Sequence, residues 1–236
     1  MARWAVGFPG GSVYRGRVAY GESGAEMSVD RPLWIARLGF SLWMAIWLPI
    51  ILSTQGPQNF WWLCNLAQFL LLYALWHPNR LVISSQAGTV LAVGFTWTLD
   101  FIVGLFVGDS ITGIAAYMFD PEYPLIQRAT STYHIWLPLL FLWLCHRYGY
   151  DRRGVWLQAV IGSLAIVGGW LWGDPERNLN YTHAPFGVEQ TWLPDIVYIP
   201  LLCLGTALFI YVPGHFVVRG ILELVWADRG CMRVNP

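Results

Sequence analysis

STYHIWLPLLFLWLCHRYGYDRR, residues 131–153, opens as an apolar run wide enough to enter a bilayer, carries His134 about one turn inside its first end, and closes on Arg147, Arg152 and Arg153. Arginines in that position resist crossing, so this one stretch supplies a membrane span, its direction and a candidate chemical group.

The rest of the chain is written in the same style. Of 236 residues, 56% are hydrophobic and 12% charged, and the apolar residues fall in blocks instead of alternating with polar ones. That pattern is an all-α polytopic membrane protein, not a soluble core. The formal charge is +0 and the basic residues are scattered through loops, which excludes the basic stripe that nucleic acid demands. Cys64, Cys145, Cys203 and Cys231 show no paired spacing, so neither a disulfide framework nor a metal site is indicated and no cofactor is expected.

Six spans are expected, at about 34–53, 60–77, 87–107, 130–147, 154–172 and 196–218, because ~20 apolar residues cross a ~30 Å hydrocarbon layer. They form a membrane domain over 31–220, between a Gly-rich polar lead at 1–30 and a tail at 221–236. Met27 is an alternative start. The segment from Ile111 to Phe119 is apolar but too short to cross, and reads as an interfacial helix or a reentrant cap. The chain contains no lysine, so orientation rests on arginine. Only Arg128 and Arg177 fall on the side opposite the others, which places both termini in the cytoplasm by the positive-inside rule.

Depth then selects candidates. Cys64 and Asn65 near the start of the second span, His134 near the start of the fourth and Asp100 before the end of the third lie about 6 to 11 Å below the outer interface at 1.5 Å per helical residue. A carboxylate inside a span is costly, and is either paired at a polar cavity or used to fix helices against one another. If the groups converge, the types permit nucleophilic acyl transfer. His134 would deprotonate Cys64, Asp100 would hold the imidazole, and Asn65 would donate to an oxyanion. Taken singly, each has a structural reading: a buried histidine bonded to Ser131 or Tyr133, and a cysteine that is simply a small hydrophobe. The polar loop at 173–195, with Asn178, Asn180, Tyr181, His183 and Glu189, reads as a connector or a lid over the cavity. Tyr150 to Arg153 reads as a topological anchor or an anionic headgroup site.

The order LCN at 63–65, WTLD at 97–100, YMFD at 117–120, STYHIWLP at 131–138, YGYDRR at 148–153, NLNY at 178–181 and YVPGH at 211–215 resembles a family of bacterial multi-pass membrane proteins from Trp34 to Gly220. More distantly, a nucleophile in the second span with a histidine in the fourth is similar to the androgen-induced membrane hydrolases of fatty-acid esters and to a related cysteine-dependent phospholipid acyltransferase. The hydrolases carry threonine where Cys64 stands. The resemblance implies a place in the bacterial cytoplasmic (inner) membrane and membrane lipids as partners or substrate. Two other functions fit the same residues: a haem or pigment protein using His77, His146 and His215, and an accessory scaffold of a membrane complex.

Overall fold

The structure, a computed structural model, describes residues 30–227. The lead before residue 30, the alternative start at Met27, and Arg229, Cys231 and Arg233 lie outside the described residues. Within them the chain is all-helical: α1 (Arg31–Thr54), α2 (Leu63–Trp76), α3 (Arg80–Val107), α4 (Leu125–Ser131), α5 (Tyr133–Tyr148), α6 (Gly154–Trp172), α7 (Asp195–Thr206) and α8 (Val212–Ala227). The α7 and α8 segments form one rod, widened by a π turn over Ala207–Tyr211. Pro213 lies just beyond and lacks the N–H that the Phe209 carbonyl would otherwise take.

Four of the described helices are long and apolar enough to cross a membrane: Arg31–Thr54, Arg80–Val107, Gly154–Trp172 and the continuous Asp195–Val225. This is fewer than the six expected. Helix α2 has 14 residues and α5 has 16, so at 1.5 Å each they reach about 21 and 24 Å, short of the ~30 Å hydrocarbon. The missing length went into local turns. A 3-10 turn over Pro57–Trp61, entered through Gly56 at φ 73°, takes up the first two residues of the expected second span, and α2 begins only at Leu63. The fourth span is jointed instead: α4 stops at Ser131, and Thr132 redirects the chain into α5.

The described helices bury a core of large apolar side chains together with a set of polar ones, and they also expose many large apolar residues, a surface unlike that of a water-soluble bundle. Gln68, Ser84, Ser85, Gln86 and Gln158 are all at most 2% exposed, whereas Ile196, Phe209 and Phe106 are 80% exposed or more. Buried amides meet each other: Gln86 Nε2 donates to Gln158 Oε1 at 2.6 Å, and Trp43 Nε1 to Gln68 Oε1 at 2.7 Å. Such a surface is compatible with an integral membrane protein.

Helix α3 packs against α2, α5, α6 and α8, and its glycines decide how closely they approach. A Cβ on Gly88 would lie 2.9 Å from the Gly214 backbone of α8, and one on Gly94 would lie 2.5 Å from the Pro138 ring and 2.7 Å from the His134 carbonyl of α5. Close backbone approach through small residues supplies dispersion contacts where lipid removes most of the hydrophobic drive. One end of the bundle carries the short connections at 77–79 and 149–153 and the start of α1, where Asp30 caps the helix through the Leu33 N–H and pairs with Arg147. The other carries the long connections at 55–62, 108–124 and 173–194.

Candidate functional site

Cys64 and His134 are each the second residue of a helix, α2 and α5, at the long-loop end. They line one small cavity together with Thr89, Val90, Gly94 and Tyr133, and it has room for about one water molecule. The bare Cα of Gly94 is what lets α5 bring His134 against α3.

The imidazole is fixed on three sides. It stacks on Tyr133 at 4.1 Å and on Trp97 at 4.8 Å, and Nδ1 lies 2.8 Å from the Ser131 carbonyl oxygen. A carbonyl only accepts, so Nδ1 carries the proton and Nε2 keeps a lone pair, the tautomer a general base needs. Its neighbours are held in turn. Tyr133 donates its hydroxyl to Asn65 Oδ1 at 2.7 Å, Asn65 Nδ2 donates to the Asn59 carbonyl at 2.9 Å, and Trp97 Nε1 donates to the Tyr117 hydroxyl at 2.9 Å. Burial pushes the Tyr117 phenol well above the ordinary tyrosine range, so it stays neutral as that acceptor.

Two expected roles change. Asp100 does not orient His134. Its Oδ1 accepts the Ile111 and Thr112 N–H groups at 2.9 and 3.0 Å, and its Oδ2 accepts the Ser110 hydroxyl at 2.6 Å and the Ala115 N–H at 2.9 Å. Four donors exhaust the usual capacity of a carboxylate. The segment expected as an interfacial helix from Ile111 is therefore a loop wrapped on this carboxylate, with only a 3-10 turn at Ala116–Met118. Gly104 accommodates it, because a Cβ there would lie 2.3 Å from the Phe119 ring. The cap reading of that segment fits the geometry; the helix reading does not. Asn65, expected as an oxyanion donor, is buried between Asn59 and Tyr133 and is not a wall of the cavity, so it positions Tyr133.

The long polar loop is pinned over the start of α2. Asn180 Nδ2 donates to the Trp61 carbonyl at 2.7 Å and its Oδ1 accepts the Leu63 N–H at 3.3 Å, immediately before Cys64. Asn178 Oδ1 accepts the N–H groups of His183 and Ala184, which closes the loop on itself, and Arg177 reaches the Gln55 carbonyl at 2.6 Å. At the opposite end, Tyr150 and His215 Nδ1 are 2.8 Å apart, and His77 stacks on Tyr73. Among the described residues no group of three or more His, Cys, Asp or Glu could hold a metal ion. The Tyr150–Arg153 turn holds an Asp151–Arg153 ion pair at 2.9 Å that pulls the Asp151 carboxyl below the usual range.

Sequence reasoning missed Trp97 and Thr89 as supports or walls of the site; it named Ser131 and Tyr133 as neighbours of the imidazole through their hydroxyls, whereas Ser131 meets it through the backbone carbonyl and Tyr133 by stacking. Trp97 and Asp100 stand three apart on one helix, and that spacing alone could have put an aromatic ring beside the expected depth of His134. No protein-family model, no curated protein and no solved structure matches the chain.

Proposed function

We propose that the protein is a membrane enzyme that breaks a lipid ester by acyl transfer to Cys64, with His134 as general base. The observation that carries this reading is that Cys64 and His134, on different helices and far apart in sequence, line one cavity with the imidazole already in its accepting tautomer. Cys64 is the second residue of α2, so its sulfur stands in the first turn, where the helix dipole favours developing negative charge. In the reaction the thiol proton passes to His134 Nε2 as sulfur attacks the ester carbonyl. The C–O bond then breaks, and the leaving alkoxide takes the proton from the imidazolium, leaving a thioester on Cys64. A dry site does not stabilise a separated thiolate and imidazolium, which assigns the proton transfer to the moment of attack. The reading includes six membrane-crossing helical segments, with short α2 and α5 reaching the surface through Trp61, Trp62 and the α4 joint, and both termini in the cytoplasm. The substrate then arrives from the opposite leaflet, whose ester groups lie near the level of Cys64.

An acyl-directed electrophilic probe tests this on purified protein. Labelling is expected on Cys64, lost in Cys64→Ala and slowed about 10²- to 10⁴-fold in His134→Ala. Labelling that is indifferent to both substitutions overturns the proposal.

A further inference from the structure

Attack of sulfur on an ester carbonyl puts negative charge on the carbonyl oxygen, and in a dry site that charge needs a donor already in place. Besides the nucleophile and the base, the walls of the Cys64–His134 cavity carry two hydroxyls, those of Tyr133 and Thr89. Of the two, the Tyr133 hydroxyl stands within hydrogen-bond reach of the Cys64 sulfur. The side chain that carries it is 3% exposed and stacks on the imidazole at 4.1 Å, which fixes nucleophile, base and phenol around one point. In the structure the single phenolic proton goes to Asn65 Oδ1 at 2.7 Å, and Asn65 is turned that way because its Nδ2 donates to the Asn59 carbonyl at 2.9 Å. An amide oxygen is a neutral acceptor, whereas an oxyanion is a charged one, and bonds to charged acceptors are roughly twice as strong. Rotation about one C–O bond moves the proton from the first to the second.

We propose that the Tyr133 hydroxyl is the oxyanion donor of the acyl transfer, held on Asn65 until charge develops beside Cys64. The assignment rests on the acyl-transfer reading. As the sulfur–carbon bond forms, the thiol proton passes to His134 Nε2 and the carbonyl π pair moves onto oxygen, where the Tyr133 O–H turns to meet it. When the tetrahedral species collapses, the C=O bond re-forms and the ester C–O bond breaks. The leaving alkoxide takes the proton from the imidazolium, and the phenol turns back to Asn65. Tyr133 keeps its proton throughout. Its bond to the oxygen exists only while charge is present, so it lowers the barrier and not merely the energy of the bound ester. Electrophiles attacked at a saturated carbon gain nothing from it, which confines the help to acyl substrates.

Two electrophiles test this on the purified full chain, read by mass spectrometry at Cys64. p-Nitrophenyl butyrate acylates through an oxyanion; iodoacetamide is attacked at a saturated carbon and forms none. In Tyr133→Phe, acylation per folded molecule should slow about 10²-fold, the low end for an oxyanion donor because the bond to Asn65 is given up to make it, while alkylation stays within about threefold of wild type. Equal slowing of both reactions, or acylation at the wild-type rate, overturns the assignment. Thr89→Val should leave the ratio of the two rates as in wild type. A ratio that falls there and not in Tyr133→Phe gives the oxyanion to Thr89 and overturns the assignment. Where Tyr133→Phe does not fold, 3-fluorotyrosine in place of Tyr133 keeps the ring and hydroxyl and makes the phenol a stronger donor. The ratio of acylation to alkylation should then rise above wild type, and a ratio at or below it overturns the assignment. Wild-type protein that is alkylated at Cys64 but never acylated strikes the acyl-transfer reading itself, and the oxyanion donor with it.

Discussion

His134 takes its orientation from the Ser131 carbonyl, and the carboxylate on the neighbouring helix is spent on a loop. This division predicts that Asp100 and His134 substitutions fail in different ways. In Asp100→Asn, Oδ1 still accepts the Ile111 and Thr112 N–H groups, but an amide NH₂ now faces the Ala115 N–H. Unpaired buried donors and a lost charge-assisted bond should cost about 2–4 kcal/mol, seen as a lower thermal melting midpoint. Cys64 labelling per folded molecule should stay well above that of His134→Ala. An Asp100→Asn protein that melts like wild type yet loses labelling would mean that the carboxylate acts on the imidazole after all.

Gly94 sets the distance between α3 and α5, and Asn180 sets the start of α2. Gly94→Val adds bulk where even a Cβ stands 2.5 Å from Pro138 and 2.7 Å from the His134 carbonyl, so α5 must move and carry the imidazole with it. Overpacking of this sort costs about 1–3 kcal/mol, and the loss of Cys64 labelling in the surviving folded protein should exceed the loss of stability. Asn180 sits at φ 52°, which glycine tolerates, so Asn180→Gly isolates the value of its side-chain bonds from backbone strain. It should lose about 1–2 kcal/mol and expose the 173–194 loop to limited proteolysis, because the amide that tied the loop to Trp61 and Leu63 is gone.

Connections at 149–153 and 173–194 leave opposite ends of α6. Impermeant labelling of single cysteines placed at residues 151 and 183 should therefore react from opposite sides of the membrane, and reaction of both from one side would reject the six-segment topology. Arg128 and Arg177, the two arginines on the sparse side, each spend their guanidinium on backbone carbonyls, of Met118 and Gln55.

Apolar blocks and the lack of charge were enough to determine an all-helical chain with a lipid-compatible surface, because burial of backbone hydrogen bonds in hydrocarbon leaves a helix as the answer to such a block. Residue type and depth were also enough to single out Cys64 and His134, which the fold places on the wall of one cavity. Span number was not legible at α2 and α5. Whether residues 55–62 extend a helix or turn is decided by Gly56, by the 3-10 turn from Pro57, and by the Asn180 amide arriving from more than a hundred residues away. The fate of Asp100 was hidden for a similar reason. Its depth looked equal to that of His134, but a carboxylate pairs with whichever donors reach it first. The Ser110–Ala115 loop folds back onto α3 with three N–H groups and a hydroxyl already aimed at it. Depth along a helix is a one-dimensional quantity that the sequence carries; the direction a side chain faces among packed helices depends on contacts such as Gly94 against the His134 carbonyl, which only the tertiary structure decides.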